Sequence, residues 1–249
     1  MFWSNVVAAM AVSPRKRFCD PNPEWEKEQG RLRSLIDRND FCKDMNEISR
    51  VGGVDISFDK EDPTRAVASL VVLSFPHLQV LFEDSRHLRI DEPYIPGFLA
   101  FRESPPLQLL LQELKESKPE VYPQVILVDG NGVMHPRGCG LASHLGASCG
   151  VPTVGVAKTM MHVGGLETPV VLERARRELK ARGDYFDLRA DTGEVLGVAM
   201  LGSEGSHNPI FVSIGHMISL DTARALVQRC CVAARVPEPI RQADKRSRE

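Results

Sequence analysis

The apolar and polar positions along the chain predict a sheet in two parts. From position 51, the segments VGGVDISF, AVASLVVLSF and LQVLFEDSRHLRI are apolar or alternate between apolar and polar residues, and short links rich in turn residues join them. Short-linked strands of this kind predict an antiparallel meander. Two later runs, QVILVDG and VPTVGVAK, are continuously apolar and flank the helical segment GLASHLGAS, which predicts a buried unit of strand, helix and parallel strand.

Further segments complete the predicted fold. DYFDLR and EVLGVAML predict a strand pair around a turn at 191–193, and IFVSIGH predicts another strand. Three antiparallel strands followed by alternating helices and strands predict an α/β fold with a mixed sheet, in which parallel strands follow the meander and helices cover both faces.

Apolar residues at helical spacing predict a helix within 21–42, with Leu32, Leu35 and Ile36 on one side. Helices are also predicted at 172–182 (LERARRELKAR) and after Ser219, which opens the last one. Another helix is predicted to begin with Ser104 as its N-cap. Pro105 and Pro106 would then lie in its first turn, where proline is tolerated, and a stripe of leucines follows.

Composition and charge narrow the class of protein. The 249 residues are 43% apolar and 26% charged, as in globular domains, and we expect one domain over 21–249 after a flexible tail at 1–20. The formal net charge of −2 argues against bulk electrostatic coating of nucleic acid, so a phosphate-binding surface must be local. No apolar run reaches the roughly 20 residues of a membrane span. The six cysteines lack disulfide-framework spacing, so we expect reduced thiols.

Two aspartates are candidates for metal or acid–base chemistry. Asp55 lies inside an apolar strand, where a carboxylate is costly unless it is paired or metal-bound, although a solvated sheet face is the alternative. Asp129 ends the strand VILVDG, where α/β proteins place their sites, although Asp before Gly is also an ordinary turn former. If the two strands are neighbours, the carboxylates converge and offer the oxygen ligands that Mg²⁺ prefers.

Glu103 and His216 give weaker signals. Glu103 precedes the predicted leucine-striped helix, where the helix dipole alone favours an acidic residue. His216 follows a strand and precedes a helix, where a hydrogen-bonded structural histidine is the ordinary alternative to a ligand.

The segment VDGNGVMHPRGCGLASHLG has five glycines in nineteen residues, so its backbone can approach a ligand closely. It lacks the acidic residue of a dinucleotide fingerprint, and its histidines and cysteines lack common zinc spacing. The loop PYIPG at 93–97 is either a turn with a packed tyrosine or a stiff wedge whose Tyr94 ring stacks on a nucleobase.

Five segments taken together, VGGVDISF, PYIPGFLAFRE, LVDGNGVMHPRGCGLASHLG, VPTVGVAKT and FVSIGHMISLDTA, resemble the endonuclease V family in identity and order. The resemblance covers about 51–245. Cys230, Cys231 and the segment PEPIRQAD resemble its vertebrate branch. The resemblance implies a ribonuclease H-like fold in which the first and fourth strands are neighbours, which would place Asp55 beside Asp129.

The resemblance also implies roles for individual residues. Asp55, Glu103 and Asp129 would form an acidic metal cluster that His216 completes, and Lys158 would lie near the scissile phosphate. Tyr94 would be the strand-separating wedge. The other residues implied for the wedge or for the pocket of a flipped hypoxanthine base are Pro93, Ile95, Pro96, Gly97, Leu99, Gly130, Gly132, His135 and Leu141. Asp244 matches a recurring family position whose role the residues alone do not indicate.

The implied activity is hydrolysis of the second phosphodiester bond on the 3′ side of inosine, leaving a 5′-phosphate. Mg²⁺ is the implied cofactor, with Mn²⁺ as a substitute. Inosine-containing single-stranded RNA is the implied substrate, with deoxyinosine-containing DNA second. We expect a monomer in the cytoplasm and nucleus, including the nucleolus, without a membrane partner.

Two other functions fit the same segments. A catalytically silent reader of inosine-containing RNA needs the pocket and the wedge but not all three acidic residues. A small-molecule enzyme that uses the glycine-rich loop for a nucleotide predicts no metal dependence. The richest basic stripe that could contact RNA phosphates consists of 172–182 with Arg86, Arg89 and Arg137. The alternative interpretation of the basic residues in 172–182 is a solvated helix face.

Overall fold

The computed structural model describes residues 22–206 and 208–249, so the predicted tail at 1–20 lies outside the described residues. The strands are β1 (Arg50–Phe58), β2 (Arg65–Ser74), β3 (Val80–Arg89), β4 (Val125–Asp129), β5 (Thr153–Ala157), β6 (Tyr185–Arg189), β7 (Val195–Met200) and β8 (Ile210–His216). The helices are α1 (Pro23–Ser34), α2 (Leu99–Ser117), α3 (Leu141–Cys149), α4 (Thr168–Glu178), α5 (Leu220–Cys230) and α6 (Glu238–Ser247). Within these ranges no helix has both the length and the apolar character needed to cross a membrane.

One eight-stranded sheet has the order β3-β2-β1-β4-β5-β8-β7-β6. β1, β2 and β3 form the predicted antiparallel meander, and β4 and β5 continue from β1 in parallel. β8, β7 and β6 then pair antiparallel. The predicted mixed sheet is confirmed, and so is the predicted pairing of the first and fourth strands. Because Val54 pairs with Val128, the residues that follow them, Asp55 and Asp129, lie side by side on neighbouring strands.

Helices cover both faces of the sheet, as predicted. Alternation along β4 shows this most simply, because Ile126 and Val128 pack with α2 and α3, whereas Val125 and Leu127 pack with α5 and α6. α4 covers the strands at the far edge, β6 to β8. A continuously apolar run such as VILV is required where a strand is buried on both faces.

The predicted start of α2 at Ser104 is wrong, because the helix begins at Leu99 and contains both prolines. Tertiary contacts stabilise the extra turn. The Phe101 ring stacks on Trp25 with centroids 5.0 Å apart. The Arg102 guanidinium donates to the Pro63 carbonyl and lies 3.9 Å from the Phe58 ring centroid. Residues from distant segments therefore outweigh the local preference of the Pro-Pro pair for a first turn, and Glu103 lies inside the helix.

Two other helix predictions need correction. The helix opened by Ser219 is not the last, because α6 follows it. α6 is short and polar, and only one side of it, with Ile240, Ala243 and Ser247, is buried. α1 ends at Ser34, so Leu35 is 48% exposed instead of lying on the buried side of the helix.

Candidate metal centre and adjoining cavity

Three aspartates from distant parts of the chain meet near the carboxyl end of β4, in the middle of the sheet. Asp55 comes from β1, Asp129 from the end of β4 and Asp244 from α6, and one carboxylate oxygen of each lies within 4.8 Å of the others. The parallel pairing of β1 with β4 brings the first two together. The third depends on Gly53, because a Cβ there would lie 2.1 Å from the Pro239 carbonyl oxygen and would hold α6 away from β1.

The charges in this cluster are only partly balanced. Burial raises the pKa of Asp55, and the Asp129 and Asp244 carboxylates raise it further, whereas a hydrogen bond from Ser247 opposes the shift. The Lys158 ammonium nitrogen lies 2.6 Å from Asp129 Oδ2 and 3.6 Å from Asp244 Oδ1. Burial acts to lower the pKa of Lys158, but the hydrogen bond and charge of Asp129 outweigh it and the net shift is upward. The Arg248 guanidinium also lies 2.8 Å from Asp244 Oδ1. Two cations therefore face three carboxylates, which leaves one negative charge for a bound cation to balance.

Glu103 on α2 faces the same cleft, which has a volume of about 260 Å³ and is also lined by the three aspartates and Lys158. Burial is the main reason that the pKa of Glu103 is raised to about 8, and the neighbouring Asp55 charge adds to it, while Arg102 opposes it. Glu103 therefore carries a proton at pH 7 when no cation is bound. Its carboxylate is not among the three that converge within 4.8 Å.

A cavity of about 450 Å³ adjoins the cleft, and the two share Leu99, Asp129, Leu141 and Lys158. Its volume falls within the range of small-molecule pockets. Seven of the residues that the sequence implied for substrate binding line it: Tyr94, Pro96, Gly97, Leu99, Gly130, His135 and Leu141. The sequence did not indicate its remaining polar lining residues, which include Gln29, Asn131 and Thr159.

The loop before α2 presents Tyr94 at the mouth of this cavity. The Tyr94 ring is 63% exposed, whereas Ile95, the next residue, is only 9% exposed and anchors the loop. Pro93 and Ile95 do not line the cavity. An exposed ring on a loop held by a buried neighbour matches the predicted wedge in shape.

Comparison with known proteins agrees with this geometry. The family model for Endonuclease V matches residues 31–245. Human endonuclease V is 49% identical over 230 residues, which cover 90% of this chain and 81% of the human protein. Mouse endonuclease V is also 49% identical over 230 residues, covering 90% of this chain and 68% of the mouse protein. This chain belongs to the endonuclease V family. It is therefore a member of a family of nucleases, which are hydrolases.

Solved structures of endonuclease V proteins have the same fold. A crystal structure of human endonuclease V aligns with a TM-score of 0.86 at 48% identity, covering 90% of this chain and 95% of that one. A structure of Ciona intestinalis endonuclease V, in complex with a 24mer DNA containing an inosine followed by a ribo-adenosine, aligns with a TM-score of 0.86 at 40% identity. It covers 90% of this chain and 95% of that chain.

His216 does not join the endonuclease V acidic cluster, contrary to the prediction from the sequence. It pairs with Thr153 at the start of β5, whereas Asp129 pairs with Val156 near the end of that strand. β8 runs antiparallel to β5, so His216 lies at the opposite end of these strands from Asp129. Its Nδ1 accepts a hydrogen bond of 3.2 Å from the Asp37 backbone N–H, and its ring is buried. The structural alternative for His216 is the one that the structure favours.

Asp244 takes the place in the cluster that was predicted for His216. The sequence holds one signal for it. Ile240, Ala243 and Ser247 recur at helical spacing and mark the buried side of α6, and Asp244 lies next to that side. The short, mostly charged segment hides this pattern.

Gly132 also departs from its predicted place, because it does not line the cavity. A Cβ at Gly132 would lie 1.9 Å from the Ile214 carbonyl oxygen, and its N–H donates to Ser213 Oγ at 2.9 Å. Gly155 packs against the same loop, since a Cβ there would lie 2.4 Å from the Gly132 nitrogen. These glycines allow backbone to pack on backbone. Gly132 therefore shapes the loop and does not line the cavity.

Arg137, predicted in the RNA path, is instead part of the scaffold around the cavity. Its guanidinium donates to the Gly97 carbonyl and to Gln29 Oε1, and it lies 3.9 Å from the Phe98 ring centroid. Its backbone N–H donates to Nδ1 of His135 at 3.2 Å. Burial lowers the pKa of His135 to about 4, and the Arg137 charge adds to the shift. His135 is therefore neutral at pH 7, with its proton on Nε2.

Two of the other predicted phosphate contacts, Arg86 and Arg89, are engaged with acidic residues. Arg86 forms ion pairs with Asp84 and Glu113, and Arg89 lies 3.6 Å from Asp62. Across the described part of the chain, the histidines and cysteines of the glycine-rich segment form no metal-binding group.

Proposed function

We propose that this protein is a metal-dependent endonuclease that recognises inosine in single-stranded RNA and cuts the second phosphodiester bond on its 3′ side, leaving a 5′-phosphate. The observation that carries the proposal is the junction of the two sites. The acidic cleft and the adjoining cavity share four lining residues, so a base held in one places its own strand beside the other.

The donor set of the cleft fits a hard divalent cation, and we propose Mg²⁺ with Mn²⁺ as a substitute. Asp55, Asp129 and Asp244 would hold it, since they offer converging carboxylate oxygens and no sulfur or imidazole ligand. A bound metal of this kind lowers the pKa of an attacking water and neutralises a leaving oxygen. The silent-reader alternative gives no reason for three mutually repelling carboxylates to be kept beside the cavity.

The chain's own residues supply the remaining steps. Lys158 ends in an ammonium group beside Asp129, from which it can turn to the scissile phosphate and stabilise added negative charge. Glu103 holds a proton at its carboxyl group near pH 7 and releases it when positive charge enters the cleft. Both residues lie in the cleft next to the three aspartates.

Base selection is assigned to the cavity. Hypoxanthine differs from adenine by the O6 acceptor and N1–H donor, and from guanine by the missing 2-amino group. The polar groups of His135, Asn131 and Gly130 line the cavity and can face the edge of a bound base. Tyr94 would fill the gap left by the flipped base and offset part of the unstacking cost of a few kcal/mol.

The preference for RNA has support from one neighbour. The nucleic acid bound to Ciona intestinalis endonuclease V has a ribo-adenosine directly after the inosine. We propose that this chain cuts faster when the nucleotide that follows inosine carries a 2′-hydroxyl group.

Four oligonucleotides of one sequence test the proposal: all-RNA with inosine, all-DNA with deoxyinosine, the same DNA with one ribonucleotide after deoxyinosine, and RNA with adenosine. With Mg²⁺ we expect the first and third to be cut at the second bond, the second slowly and the fourth not at all. Chelation should stop all cleavage. Cleavage that persists in chelator, or equal cleavage of the adenosine RNA, would contradict the proposal.

A further inference from the structure

α6 contributes a second polar residue to the acidic cleft besides Asp244. Ser247, three residues later on the same side of the helix, is only 2% exposed although it is the last residue of a charged helix. Its Oγ lies 2.6 Å from Asp55 Oδ2 and 2.7 Å from Ser57 Oγ. It also lies 3.0 Å from the Asp244 carbonyl oxygen.

The direction of these hydrogen bonds follows from counting hydrogens. A serine hydroxyl has one hydrogen to donate, and an ionised carboxylate has none. The Asp55 oxygen is the nearest acceptor and the charged one, so the Ser247 hydrogen points to it. Ser57 then donates its own hydrogen to Ser247 Oγ. The result is a relay from Ser57 through Ser247 to Asp55.

This relay restricts the Asp55 carboxylate. Asp55 and Ser57 are two residues apart on β1 and therefore lie on the same face of the sheet, the face that α6 covers. With Oδ2 engaged by Ser247, rotation of the carboxylate about its Cβ–Cγ bond is limited, which fixes the direction of the other oxygen. The same helix thus provides one cluster carboxylate, Asp244, and orients another, Asp55, which lies 192 positions from Ser247 in the sequence.

We propose that Ser247 is a positioning residue of the metal centre, whose hydroxyl holds the Asp55 carboxylate in the orientation that binds the cation. This inference rests on the metal site in the proposed function and adds a residue to it. Hydrogen-bond partners of metal ligands commonly contribute about 10- to 100-fold to metal affinity, because they fix the orientation of the ligand.

The test is calorimetric titration of the protein with Mn²⁺ alone at constant pH, so that no substrate or turnover is involved. For Ser247→Ala we expect the dissociation constant for Mn²⁺ to rise about 10- to 100-fold. Ser247→Thr keeps the hydroxyl and should recover most of the affinity. Ser57→Ala should cause a smaller rise, because the bond that it removes ends on Ser247 and leaves the bond to Asp55 in place.

A purely structural role for Ser247 gives a different result. Its hydroxyl would then serve the end of α6 through the Asp244 carbonyl, and Ser247→Ala would lower the melting temperature in chelator without changing the affinity for Mn²⁺. Unchanged affinity in both Ser247→Ala and Ser57→Ala overturns the positioning role while leaving the metal centre intact. Failure of the parent protein to bind Mn²⁺ overturns the metal centre itself, so the two failures are distinguishable.

Discussion

The acidic cleft and the cavity beside it share four residues, yet they are held together in different ways. The cleft gathers like charges from β1, β4 and α6, which Lys158 and Arg248 only partly balance. The cavity wall is built from hydrogen bonds of Gln29 and Arg137 and from close backbone packing around the glycine-rich loop and Gly97. Repulsion among the carboxylates lowers stability but favours binding of a cation, whereas a prebuilt, hydrogen-bonded wall suits recognition of an uncharged base. We therefore assign chemistry to the cleft and selection to the cavity.

The largest effect is expected from breaking the cleft. Asp55→Ala or Asp129→Ala should reduce cleavage by at least about a thousandfold, since several kcal/mol of charge stabilisation are lost. In chelator, Asp55→Ala should melt no lower than the parent, because it relieves repulsion among the carboxylates. Cleavage rates with Mg²⁺ and melting curves in chelator check both parts. Near-normal cleavage by both variants would rule out a mechanism based on these carboxylates.

Gly132→Val breaks the cavity scaffold instead. The side chain would overlap the Ile214 carbonyl, so we expect a loss of roughly 3 kcal/mol or more in unfolding free energy. The folded fraction should still prefer inosine to guanosine and adenosine, because Gly132 does not line the cavity. Melting experiments and relative cleavage of the three substrates test this. If the variant is as stable as the parent but has lost its preference for inosine, Gly132 contributes to base recognition after all.

Tyr94→Ala is expected to act on binding without affecting the fold. Because the ring is 63% exposed, the melting temperature should stay within about 1 °C of the parent. Loss of base stacking worth about 1–3 kcal/mol should weaken RNA binding by roughly 5- to 150-fold and slow cleavage. Guanosine should remain uncut, because selection depends on the cavity. Binding and cleavage that match the parent would remove Tyr94 from the wedge role.

The pH dependence of stability separates the two regions as well. Between about pH 6.5 and 8, folded Glu103 keeps its proton while the unfolded chain has already lost it, so the folded state binds more protons. In chelator, stability should therefore fall as pH rises through this window, by up to about 1 kcal/mol per pH unit. His135 and His144, whose pKa values are lowered to about 4, contribute below this window and with the opposite sign.

Glu103→Gln is the matched control for that measurement. It removes the titrating group and should flatten the stability profile between pH 6.5 and 8 in chelator. A slope that persists in Glu103→Gln would assign the effect to another group.

The smallest effect is expected from the basic helix. α4 packs over β6 to β8, and β5 separates these strands from β4 and β1, which carry Asp129 and Asp55. Replacing both Arg176 and Lys180 by Ala should weaken inosine and ordinary RNA equally, and flatten the salt dependence by about one unit per lost phosphate contact. A loss selective for inosine would place α4 in base recognition.

The sequence predicted the parts of the fold and site that depend on local patterns. Strand periodicity gives the meander and the parallel unit, and the resemblance gives the neighbouring strands that bring Asp55 beside Asp129. Contacts between distant segments account for the failures. The start of α2 depends on Trp25, Pro63 and Phe58, and the position of Asp244 depends on the approach of α6 to Gly53. The prediction that His216 joins the metal cluster depended on a motif match alone. The register of β5 with β8 shows that His216 lies at the end of the sheet away from the aspartates.

The division of labour between cleft and cavity is tested most directly with Asp55→Asn, which removes a cluster charge without touching the cavity lining. Binding of inosine RNA and adenosine RNA should be measured at equilibrium, with cleavage followed in the same samples containing Mg²⁺. The account predicts that the variant keeps the parent's preference for inosine RNA but does not cut it. Loss of the preference together with cleavage, or cleavage at the parent's rate, would contradict it.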